Sequence, residues 1–251
     1  MNIQLLRHAT LLITVNGKKL LVDPMLSERE AMAPIVNSSN DRRNPLVELK
    51  IPQDDYLDEV HAVLLTHTHR DHFDDAAAEK ISKDMPVICQ PEDEEKLQLI
   101  GFHAVIPVGQ TIIWEGIRFI RTKGQHGTGE IGQKMAPVSG YIIQAAGEPS
   151  VYIAGDTIYC SDVEQALSAY SPQITVVNAG GARFNTGDPI TMTAQDVAKV
   201  LQFAPETKVV VVHLEAINHC PVTRADIREY LEDKQLNRRA YIPADGESIS
   251  L

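Results

Sequence analysis

The sequence lacks any apolar stretch that approaches the roughly 18 residues required for a membrane-spanning helix. Its first residues contain no basic leader, long apolar core or small-residue cleavage site, so they do not resemble a signal peptide. Cysteine is scarce, and Cys89, Cys160 and Cys220 are far apart and odd in number. This spacing favours free thiols in a reducing compartment over a disulfide framework. Together these absences predict a cytoplasmic protein without membrane association.

Basic residues are the minority charge. The chain has 23 Lys and Arg against 34 Asp and Glu, for a net charge of −11, and its basic residues cluster only briefly, at Arg42-Arg43. This balance excludes the electrostatic footprint that a nucleic acid or an anionic membrane surface would require. We therefore expect a small-molecule partner and no nucleic acid, and the sequence leaves a homo-oligomer open.

The order of predicted elements indicates one α/β domain over residues 1–251. Antiparallel strands come first, with the Asn16-Gly17 hairpin turn among them, and strand–helix alternation fills the second half. This order predicts mixed sheets with helices outside, closed by a last strand over residues 239–242. The polar segment 27–58 contains three prolines and little periodicity, so we interpret it as a long lid or binding loop with room for a short helix.

The segment from His67 to His72 reads His-Thr-His-Arg-Asp-His and follows a β-rich apolar run. Three imidazoles and a carboxylate within six residues are costly to crowd together unless something binds them, and neutral histidine and ionised aspartate are both metal ligands. A spacing of two allows His67 and His69 to face one ion, while Asp71 and His72 face another. The alternative, a solvated polar turn, does not account for this density.

The segment resembles the most specific motif of the metallo-β-lactamase fold superfamily of hydrolases, His-x-His-x-Asp-His. The other motifs of that family have counterparts in the same order. Asp23 ends a predicted strand, His126 lies in Gly-Gln-His-Gly, Asp156 lies in Ala-Gly-Asp-Thr, and His213 ends an apolar strand. The residues support the match independently, because Asp156 and His213 follow strands, where open α/β sheets place their sites.

The resemblance implies a four-layer αββα sandwich with mixed sheets and two divalent metal ions at one edge. It implies that three histidines, His67, His69 and His126, bind one ion. It implies that Asp71, His72 and His213 bind the other ion and that Asp156 bridges the two. Seven ligands would leave open positions on each ion, as in a catalytic site. Zn or Mn is the expected metal, and Fe or Ni also suits imidazole-rich sites.

One branch of the superfamily includes ascorbate-6-phosphate lactonase and a lipid phosphodiesterase that releases N-acylethanolamines. The residues around His8 and the run Leu20–Pro24 resemble this branch, although Arg7 stands where glycine is usual. The resemblance implies that His8 lies near the substrate, and a buried structural histidine is the alternative.

Several other residues are candidates for the pocket. We expect Asp23 to hydrogen-bond the metal-binding loop rather than bind metal, with an ordinary Asp-Pro turn as the alternative. Asn178 precedes glycines that would let the backbone approach a ligand. His219 is a candidate for proton transfer or substrate contact, and Arg224 for an anion contact. A loop or helix-cap role is the alternative for each of these.

The predicted chemistry is hydrolysis by a metal-bridging hydroxide, with Asp71 or Asp156 orienting the nucleophile or moving its proton. The lactonase-like branch implies a small polar ester or lactone as substrate, with sugar lactones included. A phosphodiester of a small molecule or lipid is the second hypothesis. A metal-binding sensor without turnover is the third hypothesis. A missing ligand would favour a sensor, and all seven ligand candidates are present.

Overall fold

The computed structural model describes residues 1–250, and within them the strands form two seven-stranded sheets. The first sheet has the order β14-β1-β2-β3-β4-β5-β6. Its strands are β1 (Asn2–Arg7), β2 (Thr10–Val15), β3 (Lys18–Val22), β4 (Ala62–Leu64), β5 (Val87–Cys89), β6 (Val105–Pro107) and β14 (Ser248–Ser250). The strands from β14 to β3 pair antiparallel, and those from β3 to β6 pair parallel.

The second sheet repeats this division, with the order β13-β12-β11-β10-β9-β8-β7. Its strands are β7 (Thr111–Trp114), β8 (Ile117–Lys123), β9 (Ser139–Gln144), β10 (Val151–Ile153), β11 (Ile174–Asn178), β12 (Lys208–Val212) and β13 (Ala240–Tyr241). The strands from β7 to β10 pair antiparallel, and those from β10 to β13 pair parallel. Both sheets are therefore mixed, as the sequence predicts.

Three apolar layers hold the sheets and helices together. Side chains such as Leu5, Leu20, Phe119 and Val210 form the core between the two sheets. Helices cover the two outer faces, α1 and α2 on the first sheet and α4 to α6 on the second. The helices are α1 (Asp75–Lys80), α2 (Glu94–Ile100), α3 (Gly129–Met135), α4 (Ser161–Tyr170), α5 (Ala194–Phe203) and α6 (Arg224–Asp233). The expected four-layer αββα sandwich is confirmed.

Two expectations about elements are wrong. The strand near residue 240 does not close the chain, because β14 follows it and pairs with β1. The sequence also predicts no helix between β8 and β9, where α3 forms. Three glycines at 127, 129 and 132 hide its helical pattern, and Gly132 fits because a side chain there would collide with the Gly127 carbonyl. The pairing of β14 with β1 joins the two ends of the chain, so no pattern among neighbouring residues predicts it.

The segment 27–58 contains two short 3-10 turns, Gln53–Asp55 and Leu57–Glu59, and a single bridge between Met32 and Asn44. Side chains from elsewhere hold it. The buried Arg7 guanidinium donates to backbone carbonyls of Met25, Ser27 and Val47 at 2.7 to 3.1 Å. No helix among residues 1–250 is long and apolar enough to cross a membrane.

Candidate metal centre

The histidine-rich loop begins where β4 ends, at the carboxyl edge of the parallel strands. The backbone amides of His72 and Phe73 both donate to the His69 carbonyl, at 2.9 and 2.8 Å, so the loop turns tightly. Asp74 then caps α1 by accepting from the Ala77 amide. Because a rigid strand precedes the loop and a capped helix follows it, the ligand-bearing residues are held at both ends.

Three overlapping sets of potential ligand atoms form at this edge, and the atoms within each set lie within 4.8 Å of one another. His67, His69 and His126 form one set, here called the outer group. Asp71, His72 and His213 form another together with His8, and these three ligand candidates are here called the inner group. The third set, His67, His72 and Asp156, links the two groups.

The carboxylate of Asp156 lies between the two groups. Its Oδ2 atom is 3.5 Å from His126 Nε2 in the outer group and 3.2 Å from His72 Nε2 in the inner group. Its Oδ1 atom is 3.4 Å from His213 Nε2. The structure thus brings together all seven residues that the family resemblance implies as ligands, with the expected bridging aspartate in the middle.

The donor atoms fit divalent cations. The Nε2 atoms of His72 and His213 are buried, and neither has a hydrogen-bond partner within residues 1–250. Two ligands of one tetrahedral ion, with bonds of about 2.0 to 2.2 Å, lie about 3.3 to 3.6 Å apart. The 3.4 Å between His213 Nε2 and Asp71 Oδ2 matches that spacing. Cations at these positions would satisfy lone pairs that the protein leaves unpaired.

Charge in the centre favours cations as well. Burial alone would raise the pKa of Asp156, but His213 and His72 beside it hold that pKa well below the usual range. Burial would also raise the pKa of Asp71, but the neighbouring His72, His213 and His8 hold that pKa well below the usual range. Burial lowers the pKa of His67, so its imidazole is a neutral ligand. Burial would lower the pKa of His72 and of His213, but Asp156 beside them raises the pKa of His72 well above its usual value and that of His213 to about 10. Two buried carboxylates that draw positive charge onto two neighbouring imidazoles make a site that needs compensating cations.

Asp23 supports the loop from the neighbouring strand β3, as a hydrogen-bonding residue would. Its Oδ1 accepts from the Thr66 amide at 2.8 Å, and its Oδ2 accepts from the Thr66 hydroxyl at 2.7 Å. The same Oδ2 is 2.8 Å from His72 Nδ1. A carboxylate on the far nitrogen orients a ligating histidine and makes it a stronger donor.

Other contacts orient the remaining ligands. Asn178, at the end of β11, donates to Asp156 Oδ1 at 2.7 Å, so it contacts a ligand rather than open space. His126 Nδ1 is 2.8 Å from the Ile190 carbonyl, and His213 Nδ1 is 3.6 Å from Cys220 Sγ. The roles of Ile190 and Cys220 are not predicted by the sequence. A backbone acceptor leaves no sequence signal, and a lone cysteine gives a weak one.

The remaining candidates differ in placement. His8 is fully buried behind the inner group, and its Nε2 is 3.3 Å from Asp71 Oδ2. His219 is buried near the centre, with its ring 6.3 Å from that of Phe184. Arg224 is engaged elsewhere, because its guanidinium pairs with Glu215 and with Asp245 and also donates to the Pro243 carbonyl. The guanidinium of Arg224 is therefore not free to bind an anion at the centre.

Known proteins resemble this chain over its whole length. It is 36% identical to the UPF0173 protein YddR of Bacillus subtilis (strain 168) over 254 residues, covering 100% of both chains. It superposes on a possible metal-dependent hydrolase from Veillonella parvula DSM 2008 with a TM-score of 0.97 and 32% identity, covering 100% of this chain and 99% of that one.

A further solved structure, an isothiocyanate hydrolase from Delia radicum gut bacteria, has a TM-score of 0.95 and 35% identity over 100% of this chain and 99% of its own. The family described as the β-lactamase superfamily domain matches residues 18–214, which include the histidine-rich loop, His126, Asp156 and His213. The chain therefore belongs to the β-lactamase superfamily, as a metal-dependent hydrolase of its UPF0173 group.

Proposed function

We propose that this hydrolase binds two divalent ions, one in the outer group and one in the inner group, and adds water to an electrophilic carbon of a small molecule. The observation that carries this proposal is the position of Asp156, whose carboxylate lies within 3.5 Å of ligand atoms in both groups. Zn is the metal we favour because five of the seven proposed ligands are imidazoles, and Mn is the second choice.

Bound together, two such ions would lower the pKa of a shared water and polarise the substrate. The protein residues would do the rest. Asp71 and Asp156, both anionic, would orient the attacking water and accept its proton. Burial lowers the pKa of His219, so its imidazole is neutral. We propose that His219 contacts the substrate, takes up the proton that the attacking water releases to Asp71 or Asp156, and passes it to the leaving group.

The surroundings of the centre favour an apolar substrate. An apolar cluster joins segment 27–58 and Met25, α3, and the loops that follow β11 and β12, and here it is called the apolar wall. Seven of its members are buried: Met25, Met32, Ala182, Ile190, Ala216, Ile217 and Cys220. The five partly buried members are the ones that could face a substrate: Ile35, Val47, Ile131, Met135 and Phe184. The wall adjoins the centre, since the Phe184 ring lies near His219 and the Ile190 carbonyl contacts His126.

An isothiocyanate is the substrate class we favour. The similarity to the isothiocyanate hydrolase covers the whole chain at 35% identity, and the apolar wall would suit the hydrocarbon group of such a compound. Water adds to the central carbon of R–N=C=S, and cleavage of the C–N bond releases R–NH2 and carbonyl sulfide. Each added atom of water is accounted for, two hydrogens on the amine and the oxygen on carbon.

A small ester or lactone is the second candidate, because it presents the same kind of electrophilic carbon to the same site. The N-terminal resemblance to the lactonase branch supports it. The apolar wall favours an uncharged ring over a phosphorylated sugar, and Arg224 is already paired with two carboxylates.

The test measures initial hydrolysis rates of protein reconstituted with Zn or Mn. The substrates are benzyl isothiocyanate, a small aliphatic lactone and bis(4-nitrophenyl) phosphate, with the Asp156→Asn variant as control. Isothiocyanate loss with stoichiometric amine release, absent in the variant, is the expected result. Lactone turnover alone would move the substrate class to esters, and phosphodiester turnover alone would reject attack at carbon. No turnover by protein that holds two ions would favour a sensor.

A further inference from the structure

His8 occupies an unusual position in the turn between β1 and β2. It has a φ of 60°, in the left-handed region that side chains disfavour, and it is fully buried. Its carbonyl accepts from the His213 amide at 2.8 Å, and its ring lies 3.7 Å from the His213 ring at an angle of 39°. His213 also has a positive φ, of 65°. Strained residues of this kind cluster at functional sites.

These contacts join the two sheets at the centre. His8 follows β1 of the first sheet, His213 follows β12 of the second, and Asp71 lies in the loop after β4. The His8 Nε2 atom is 3.3 Å from Asp71 Oδ2, the same oxygen that lies 3.4 Å from His213 Nε2. His8 therefore contacts two members of the inner group at once.

Two roles fit those distances, namely a fourth ligand of the inner group and a hydrogen-bond donor to Asp71. The Nδ1 atoms distinguish them. Each buried histidine proposed as an Nε2 ligand has a partner on Nδ1: Thr66 for His67, Asp23 for His72, Ile190 for His126 and Cys220 for His213. The Nδ1 atom of His8 is buried, and nothing in residues 1–250 bonds to it.

An imidazole that binds metal through Nε2 must carry its proton on Nδ1, where ligating histidines almost always have an acceptor. His8 offers none, so as a ligand it would bury an unpaired N–H group. With the proton on Nε2 instead, that N–H donates to Asp71 and only a lone pair stays unpaired on Nδ1. Buried orphan N–H groups are rarer than under-satisfied acceptors. The tautomer protonated on Nε2 is therefore favoured.

We propose that His8 is a positioning residue that donates its Nε2 proton to Asp71 and packs against His213, and so holds the inner group ready for its ion. The inference rests on the proposed two-ion site. In this role His8 binds neither substrate nor metal. It hydrogen-bonds the carboxylate of Asp71, which is itself a proposed metal ligand.

The test compares two variants with the wild-type protein. His8→Phe keeps a flat ring against His213 and removes the donor, whereas His8→Gln places an amide N–H near the former Nε2 atom. Co(II) titration followed by visible absorption, with metal content by mass spectrometry, measures each binding step. We expect His8→Phe to weaken metal binding at the inner group about 10- to 100-fold. We expect His8→Gln to recover most of that loss. Unchanged binding in His8→Phe, or no recovery in His8→Gln, overturns the inference.

A measurement on the wild-type protein guards against a misfolded variant. Long-range proton–nitrogen NMR of the Zn-loaded protein reports the tautomer of each histidine, and His8→Gln identifies the His8 signal by its loss. Protonation of His8 on Nε2 is expected, and protonation on Nδ1 would make it a ligand and reject the donor role. Wild-type protein that binds a single ion would instead defeat the two-ion function itself, which separates the two failures.

Discussion

The inner and outer groups lie at the same edge of the fold, yet they differ in charge and in support. The inner group contains a carboxylate, Asp71, and is braced by Asp23 on His72 and by His8 on Asp71. The outer group contains only imidazoles, and the ring of His69 is partly exposed. This difference indicates that an ion in the inner group would be buried and structurally supported, while an ion in the outer group would face solvent and substrate.

The largest effect is expected from changing Asp156, the carboxylate that lies near both groups. Asp156→Asn replaces the anionic oxygens that lie near both groups, so we expect hydrolysis to fall by about three orders of magnitude, equivalent to several kcal/mol of lost metal-assisted stabilisation. Metal content should fall below two ions per chain. Asp188→Asn, an exposed aspartate near α3, is the control and should leave both quantities unchanged. Two tightly held ions in Asp156→Asn would show that this carboxylate does not link the groups.

A second test weakens the inner group alone. In Asp23→Asn, the amide cannot accept from both Thr66 and His72 as the carboxylate does, so we expect about 10- to 100-fold weaker binding of the inner ion. Outer-ion binding should change little, as stepwise Co(II) titration would show. Asp84→Asn is a matched control, because Asp84 forms a similar pair with His103 on the surface. Equal losses at both sites would remove the distinction between the groups.

A third test asks whether the ions leave in order. We expect a chelator to remove the outer ion first, since the outer group has no carboxylate apart from the shared Asp156 and since His69 is partly exposed. A ligand at 100-fold over its Kd stabilises the folded state by about 2.7 kcal/mol. For a chain of this size that corresponds to roughly 5 to 10 °C in melting temperature per ion. Thermal melts during stepwise chelation should therefore show two decrements, the outer one at lower chelator concentration. Loss of both ions in one step would contradict this order.

The smallest expected effect concerns segment 27–58. The Asn218 amide accepts from the Ile35 amide at 2.9 Å and donates to the Asn40 carbonyl at 2.8 Å, and Asn218 precedes His219. Asn218→Ala should loosen this segment by about 1 to 3 kcal/mol and raise KM several-fold, with little change in metal content. Hydrogen exchange of residues 31–47 and steady-state kinetics measure it. Glu48→Ala, exposed in the same segment, is the control, and an unchanged KM in Asn218→Ala would argue against a lid over the substrate.

Much of the fold and of the centre is predictable because the signals are local. Short apolar runs such as Ile174–Asn178 and Lys208–Val212 mark the strands. A Thr-x-x-Asp pattern marks the start of α6, where Thr223 and Asp226 form a capping box. The crowding of His67 to His72 is likewise visible in six letters. By contrast, α3 was missed because its glycines mask the helical pattern, and β14 because its partner β1 lies at the other end of the chain.

The sequence by itself determined the order of strands and helices apart from α3 and β14, and also the kinds of ligand available, since both depend on side chains within a few residues of one another. Only the tertiary structure decided which atoms share an ion. The position of Asp156 between two groups, the packing of His8 against His213 and the pairing of Arg224 with Asp245 all join residues that are apart in the chain. Those contacts depend on how the two sheets pack, which no local pattern records.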